Sequence, residues 1–254
     1  MRVLLLGATG NVGSRLLPSL VAHGHSVIVY VRNPSKLPSP ASACASAVVT
    51  GSATDSAAVE SAILSHECDA VINAAGVAPV WGESGELPTI FAAVADAVEK
   101  VQERRGGAPL RVWFLSGFGI LDHPAGRMMI DYIPVYTIHR HNFARIRDVP
   151  KQKLAWSLFC ASTMTPRSEA VDYTPKPGAG AEQLVAKVES PPAWSRTLLW
   201  IPLLGKYFNV MAQAAGYAAP LEDCVDFIAG DLQAGLESQY VGHRVAVKVK
   251  SKSS

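Results

Sequence analysis

The most constraining feature of the sequence is a glycine-rich turn that follows the first apolar run at once. Residues 3–6 are Val-Leu-Leu-Leu, and GATGNVG follows at residues 7–13. A short, wholly apolar run of this kind is typical of a strand buried on both faces of a parallel sheet. Glycines between a strand and a helix allow a tight turn and close packing of the two elements. The sequence therefore predicts a strand, a turn and a helix at its start.

The beginning of that helix is suited to binding a phosphate group, through its amide groups and the positive end of its dipole. Gly7 permits the turn, Gly10 lets the backbone approach a pyrophosphate, and Gly13 lets the helix pack on the strand. This strand-turn-helix context is the one that dinucleotide binding requires. The predicted cofactor-binding residues of the loop are Gly7, Thr9, Gly10, Asn11, Val12 and Gly13.

The residues after the second and fourth predicted strands refine this expectation. NAD-preferring sites place a carboxylate after the second strand for the ribose 2′-hydroxyl, and residues 29–36 contain none. Arg32 stands there instead and can hold a 2′-phosphate, with Lys36 as a supporting charge, so NADP(H) is the predicted cofactor. The alternative is that Arg32 is an ordinary surface arginine. Ala75 and Gly76 are small and leave room for the cofactor.

The rest of the chain alternates short apolar runs with segments of helical spacing. This alternation predicts an α/β fold with a doubly wound parallel sheet, the Rossmann fold. The predicted strands are 2–6, 26–31, 45–49, 70–73, 110–116 and 154–160, with a partly exposed final strand at 243–249. The predicted helices are 12–23, 55–65, 90–103, 138–149 and 221–232. A length of 254 residues fits a single domain, residues 1–254.

Two regions break the alternation and are predicted to lie on the substrate side. Residues 118–137 are rich in Gly, Pro, Met and Tyr and follow the fifth strand, where an active-site loop is expected. Residues 167–220 are predicted to form a lid or small C-terminal subdomain, in which Trp194, Trp200 and Phe208 exclude water from the substrate. An ordinary structural insertion is the alternative.

Composition and charge exclude several classes of protein. The net charge of +2 comes without a basic stripe, so no nucleic-acid partner is expected. The four cysteines are scattered, and His139 and His141 lack ligand partners at a recognisable spacing, so no metal site is predicted. Since no apolar stretch reaches the roughly 20 residues that span a bilayer, no membrane partner is expected. A small-molecule substrate and a cytoplasmic location are the resulting expectations.

Motifs spread along the chain match those of one superfamily. The segments are GATGNVG at 7–13, YVRNPSKL at 30–37, DAVINAAG at 69–76, RVWFLSGFG at 111–119, LAWSLFCASTMTP at 154–166, LEDCVDFIAGDL at 221–232 and YVGHRVAV at 240–247. Together they resemble the atypical short-chain dehydrogenase/reductase superfamily, in particular its NmrA-like and flavin/biliverdin-reductase-like members of fungal type. The resemblance is weakest over 167–220. It implies a Rossmann fold, NAD(P) binding and oxidoreductase activity.

The catalytic residues depart from the pattern of that superfamily, whose usual members use Ser, Tyr and Lys, with Tyr four residues before Lys. The resemblance places the serine at Ser116, but Tyr132 is followed at that offset by Tyr136, and Tyr136 by Arg140. Arginine can hold a ribose or stabilise a phenolate, yet it cannot shuttle protons. Helical spacing lets Tyr136, His139 and Arg140 share a face, so Ser116 and these three are the predicted catalytic residues. The alternative is a solvated helix start.

The leading hypothesis is an NADPH-dependent reductase of an apolar, aromatic or polyketide-like small molecule. Ser116 would hydrogen-bond the substrate carbonyl, Tyr136 or His139 would donate the proton, and Arg140 would stabilise charge or grip the ribose. The missing Tyr-Lys pair favours a second hypothesis, a redox sensor that binds NADP(H) without turnover. A third is a non-redox isomerase or cyclase that uses His139 or His141 as acid or base.

Overall fold

The computed structural model describes residues 1–82 and 85–251. Its strands are β1 (Arg2–Leu6), β2 (Ser26–Val31), β3 (Ala47–Thr50), β4 (Ala70–Asn73), β5 (Arg111–Gly117), β6 (Ala155–Ala161), β7 (Met164–Thr165), β8 (Leu184–Val188), β9 (Ala219–Pro220) and β10 (His243–Val249). Its helices are α1 (Asn11–Ala22), α2 (Ser39–Cys44), α3 (Ser56–Ser65), α4 (Leu87–Arg105), α5 (Ile138–Ile146), α6 (Gly205–Ala214) and α7 (Leu221–Asp231).

Within the described ranges, eight of these strands form one sheet in the order β3-β2-β1-β4-β5-β6-β10-β8. Neighbouring strands pair in parallel except for β8, which runs antiparallel to β10 at the edge. A separate parallel pair joins β7 and β9. The strand order changes direction between β1 and β4. The carboxyl ends of these two strands therefore border the crevice in which open α/β sheets bind ligands.

Apolar side chains on both faces of the sheet hold the layers together. Along β1, Leu4 and Leu6 belong to one core, together with residues of α3, α4 and α5. Val3 and Leu5 belong to the other, together with residues of α1 and α7. All four are fully buried. Because successive strand residues face opposite sides, a sheet covered on both faces requires unbroken apolar runs, and the predicted doubly wound α/β fold is confirmed.

Every predicted strand and helix is present, with ends shifted by a few residues. The helix predicted over 90–103 begins at Leu87, because Pro88 fits the first turn, where its missing amide hydrogen removes no helical bond. The prediction of a partly exposed final strand was wrong over residues 244–247. These residues are buried because both faces of β10 are covered: Val245 and Val247 pack in the core with α1 and α7, and Ala246 packs in the opposite core.

Residues 167–220 are tied to the sheet more closely than a lid alone would be. They supply the edge strand β8, which extends the sheet beyond the predicted strands. The stretch before β8 is anchored by Asp226 of α7, which accepts hydrogen bonds from the amides of Gly178 at 3.0 Å, Gly180 at 2.9 Å and Ala181 at 2.8 Å. His23, the residue after α1, bonds the same carboxylate at 2.6 Å. Part of the predicted lid is therefore fixed to the α1 and α7 layer.

Candidate functional site

The turn after β1 brings three backbone segments into contact. Gly7 has a φ of +84°, and a Cβ atom there would lie 2.5 Å from the carbonyl of Ala74, just after β4. A Cβ atom on Gly13 would lie 2.1 Å from the carbonyl oxygen of Gly7. Gly10 is less crowded, and its amide donates to that same oxygen at 2.9 Å. Glycine is therefore required at positions 7 and 13 by contact alone.

The first turn of α1 has backbone amide groups that can donate hydrogen bonds to a ligand. No side chain caps the helix at Gly10, and its first turn has no acidic residue. The first amides of an α-helix have no partner within the helix. The side chain of Asn11 is engaged elsewhere, because its Oδ1 accepts from Arg15 at 2.7 Å. Asn11, Val12 and Gly13 can thus contribute backbone amides, which suit a pyrophosphate.

A cleft of about 660 Å³ opens at this turn. The predicted cofactor-binding residues that line it are Gly7, Thr9, Gly10, Arg32, Lys36, Ala75 and Gly76. Polar groups that were not predicted also line it, among them Ser52, Thr54 and Glu86. A glycine turn and basic residues line this cleft, and the uncapped first turn of α1 begins directly after Gly10, at the edge of the cleft. Together they fit the diphosphate and phosphorylated ribose of a dinucleotide.

The guanidinium of Arg32 already has a partner in this cleft. Its Nη1 donates to Oε2 of Glu86, one residue before α4, at 3.1 Å. Both side chains are mostly exposed, so this ion pair is screened by solvent and weak. Glu86 lies 54 residues from Arg32, and no local sequence pattern points to it. Its carboxylate competes with any anionic group that approaches the guanidinium.

Ser116 and His139 lie together near the carboxyl end of β5. Ser116 Oγ and His139 Nδ1 are 3.4 Å apart. The imidazole packs against Gly117, where a Cβ atom would approach its Cδ2 to 2.4 Å. His139 is 8% exposed, and burial lowers its pKa to about 4. The pair is therefore a serine beside a neutral imidazole at physiological pH.

The other two predicted catalytic residues are arranged differently from the prediction. Tyr136 lies before α5 with a φ of +54°, and its amide donates to the carbonyl of Val80 at 2.9 Å. The expectation that helical spacing aligns it with His139 and Arg140 was therefore wrong. Arg140 forms an ion pair with Asp131, a partner that was not predicted. The structure brings Ser116 and His139 together, but it holds Arg140 at a carboxylate.

The three aromatic residues of the predicted lid differ in burial. Trp194 packs against Phe118 and Tyr217, with ring centroids 5.9 and 5.3 Å apart, and its Nε1 donates to Oδ1 of Asn209 at 2.8 Å. Trp200 and Phe208 are 80% and 41% exposed. Only Trp194 is thus packed into the protein, and the water-excluding role of all three stays a prediction.

The described residues include neither a candidate metal site nor a candidate membrane-spanning helix. Among residues 1–82 and 85–251, no group of three His, Cys, Asp or Glu side chains could hold a metal ion. In the same ranges, no helix is both long and apolar enough to cross a bilayer.

The sequence comparison establishes the family. The chain belongs to the NAD(P)H-binding family, whose sequence model matches residues 7–178. No curated protein matches the chain significantly.

Solved structures share the fold at low sequence identity. A wide-type short-chain dehydrogenase/reductase from Veillonella parvula DSM 2008, in complex with NADP, is 15% identical with a TM-score of 0.60, over 97% of this chain and 94% of that one. A protein from Streptococcus pneumoniae TIGR4, named for NADH-flavin reductase activity, is 16% identical with a TM-score of 0.64, over 98% and 100%. The family match confirms the NAD(P) binding that the resemblance to the atypical short-chain dehydrogenase/reductase superfamily implies, and these structures share the expected fold.

We expect Gly13→Ala to weaken dinucleotide binding, because the added methyl group must push α1 away from the Gly7 carbonyl. The affinity for NADPH, measured by calorimetry, should fall roughly tenfold or more, or about 1.4 kcal/mol. Gly216→Ala is the matched control, since a Cβ atom there meets nothing within 4 Å. Equal affinities of the two variants would contradict the role of this contact.

Protonation of His139 should destabilise the fold. Its pKa is about 4 in the folded protein against an ordinary 6.5, so the folded state binds fewer protons. This contribution to stability is complete above pH 6.5 and is lost as the pH falls toward 4. Between pH 6.5 and pH 4, the free energy of unfolding of His139→Gln should therefore fall by about 3 kcal/mol less than that of the wild type. Urea unfolding at a series of pH values measures this difference. His66→Gln, at a partly exposed histidine, is the control, and coincident profiles for His139→Gln and the wild type would refute the expectation.

Proposed function

We propose that the protein is an NADPH-dependent reductase of an apolar, aromatic or polyketide-like small molecule. The supporting observation is the continuity of the site. The glycine turn and the basic residues Arg32 and Lys36 line one cleft, and Ser116 with His139 lies two strands from β1, near the carboxyl end of β5. This order suits a dinucleotide that binds across the crevice with its reactive end toward Ser116.

The chemistry divides between the cofactor and the protein. Bound NADPH supplies the hydride. Ser116 donates its hydroxyl hydrogen to the substrate carbonyl, and His139, in the tautomer with hydrogen on Nδ1, donates to Ser116 Oγ and fixes its direction. Because His139 stays neutral, the half-exposed phenol of Tyr136 is the better proton donor of the two. Arg140 would hold the ribose of the cofactor, with its charge partly balanced by Asp131.

Two further expectations belong to the same proposal. Residues 167–220 form the substrate-side lid of a single domain, and Trp194 is the lid residue that packs against Phe118. The four cysteines are free thiols, in keeping with the cytoplasmic location expected from the sequence.

Loss of the Ser116 hydroxyl should act on catalysis and leave cofactor binding intact. NADPH oxidation is followed with a panel of quinones, flavins and aromatic ketones. Ser116→Ala should lower kcat/KM roughly a hundredfold, with an unchanged Kd for NADPH, and Ser116→Thr should retain part of the activity. Full activity in Ser116→Ala would rule out this role.

Cofactor preference should respond in opposite directions to changes in the Arg32–Glu86 pair. Arg32→Gln should weaken NADPH binding about tenfold and leave NADH nearly unaffected, because only the 2′-phosphate needs the guanidinium. Glu86→Gln should strengthen NADPH binding a few-fold, since it removes the competing carboxylate. Dissociation constants for both cofactors with each variant test this, and equal losses for NADPH and NADH in Arg32→Gln would contradict NADP preference.

The Arg140–Asp131 pair favours a second candidate, a sensor that binds NADP(H) without turnover. Where the superfamily uses a lysine to assist the tyrosine, this chain has an arginine held by a carboxylate. Intact NADPH binding with no oxidation on any substrate of the panel would support the sensor. Turnover without NADPH consumption would instead support an isomerase or cyclase that uses His139.

A further inference from the structure

Arg15 of α1 joins the start of that helix to a distant part of the chain. Its Nη1 donates to the backbone oxygen of Asn11 at 3.2 Å and to the side-chain Oδ1 of Asn11 at 2.7 Å. Its Nη2 donates to the carbonyls of Ser168 and Glu169, and its Nε donates to Oε1 of Glu222 at 3.0 Å. The five N–H donors of the guanidinium are therefore all used, and Arg15 is only 6% exposed.

The carbonyls that Arg15 holds belong to a mostly exposed segment that follows the short strand β7. We refer to residues 166–170 as the strap. The strap contains no helix or strand. Arg167 also attaches it to α7, because its amide donates to Oε2 of Glu222 at 3.0 Å and its guanidinium pairs with Asp223 at 2.8 Å. Of these two arginines, Arg15 is the one that also contacts the first residue of α1.

The guanidinium of Arg15 fixes the direction of the Asn11 side chain. Because an arginine can only donate hydrogen bonds, the carboxamide must turn its oxygen toward Arg15. The Nδ2 group then faces away from Arg15, and it has no hydrogen-bond partner within residues 1–82 and 85–251. Asn11 is exposed and follows Gly10, which lines the cofactor cleft. An Nδ2 donor here can add to the uncapped backbone amides that suit a diphosphate.

We propose that Arg15 is a positioning residue that couples NADPH binding at the start of α1 to the ordering of the strap. A guanidinium is planar and rigid, so its contacts with Asn11 and with the strap are set together. A diphosphate that holds Asn11 therefore limits the motion of the strap, and an ordered strap raises the affinity for NADPH by the same factor. Glu222 balances the charge of Arg15, so the coupling acts through geometry more than through net charge.

This coupling rests on the NADPH binding of the proposed function, but it does not depend on turnover. The strap leads into the predicted lid, residues 167–220. A bound cofactor therefore favours an ordered entry to the lid before any substrate binds.

The test is limited proteolysis of the full chain by a glutamate-specific protease, with and without saturating NADPH. Glu169 is exposed on the strap, and the rate of cleavage there reports how often the strap detaches. NADPH should slow this cleavage roughly fivefold in the wild type. Glu237, which is exposed between α7 and β10, is the internal control, and its cleavage should not change. Mass spectrometry of the fragments separates the two cleavages.

Substitutions of Arg15 should abolish the effect of NADPH on the strap. In Arg15→Met, cleavage at Glu169 should be faster and NADPH should no longer slow it. The affinity for NADPH, measured by calorimetry, should fall about fivefold, because the coupling is reciprocal. Arg15→Lys should give the same result, since an ammonium group cannot hold Asn11 and both strap carbonyls at once. It keeps the positive charge beside Glu222, so it remains informative if Arg15→Met does not fold.

Arg167→Gln is the matched control, because it loosens the strap at Asp223 and leaves Arg15 in place. Cleavage at Glu169 should be faster than in the wild type, but NADPH should still slow it about fivefold and bind with less than about a twofold change in affinity. Asn11→Ala removes a side chain from the other end of the connection. When it is combined with Arg15→Met, the two losses of NADPH affinity should be less than additive.

Three results would overturn the proposal. One is full protection of Glu169 by NADPH in Arg15→Met and Arg15→Lys, which would show that the cofactor acts on the strap by another route. Another is additive losses of affinity for Asn11→Ala and Arg15→Met. The third is a wild-type protein that binds NADPH with no protection of Glu169. A wild type that does not bind NADPH at all would instead refute the cofactor site of the proposed function, and this coupling with it.

Discussion

The close approach of three backbone segments at the end of β1 is the constraint on which the site depends. A side chain at Gly7 would overlap the carbonyl of Ala74, and one at Gly13 would overlap the carbonyl of Gly7. Two missing Cβ atoms thus let α1 begin where β1 ends, directly beside β4. The same contact leaves the first amides of α1 at the edge of the cleft. Layer packing and phosphate recognition therefore follow from one requirement.

The region around Ser116 depends on a second interaction, centred on Arg244 of β10. Its guanidinium donates to Glu189 at 2.6 Å and to Asp122 at 2.9 Å, and lies 4.7 Å from the ring centroid of Phe143. Burial lowers the pKa of Arg244, but the two carboxylates outweigh this effect and raise it. One buried charge thus fixes the loop after β5 to the last strands. Arg244 also donates to the carbonyl of Ile120, four residues after Ser116, and so ties the start of this loop to β10.

The sequence predicted those features that are encoded locally. Strands β1, β2, β4, β5 and β6 are buried over most of their length, and each main helix buries one face, so their own apolar patterns revealed them. The glycine turn was recognisable because backbone contacts demand glycine at Gly7 and Gly13. Edge strand β8 and helix α6 were not predicted, because which of their residues are buried depends on distant partners. Ser116 and His139, which contact each other, were predicted as catalytic residues only from the family resemblance and from the position of each residue in or beside a predicted element.

The carboxylates beside the predicted cations were the least predictable part of the site. Arg32 pairs with Glu86 and Arg140 with Asp131, and in neither case does the sequence spacing indicate the contact. In each pair, an anionic ligand must compete with the carboxylate for the guanidinium. The affinity for the ligand therefore depends on the difference between the two interaction energies. The exposed Arg32 pair contributes at most about 1 kcal/mol, less than a bidentate phosphate contact. The Arg140–Asp131 pair is also partly exposed, so solvent screens it too, and Asp131 weakens but does not abolish the attraction of Arg140 for an anion.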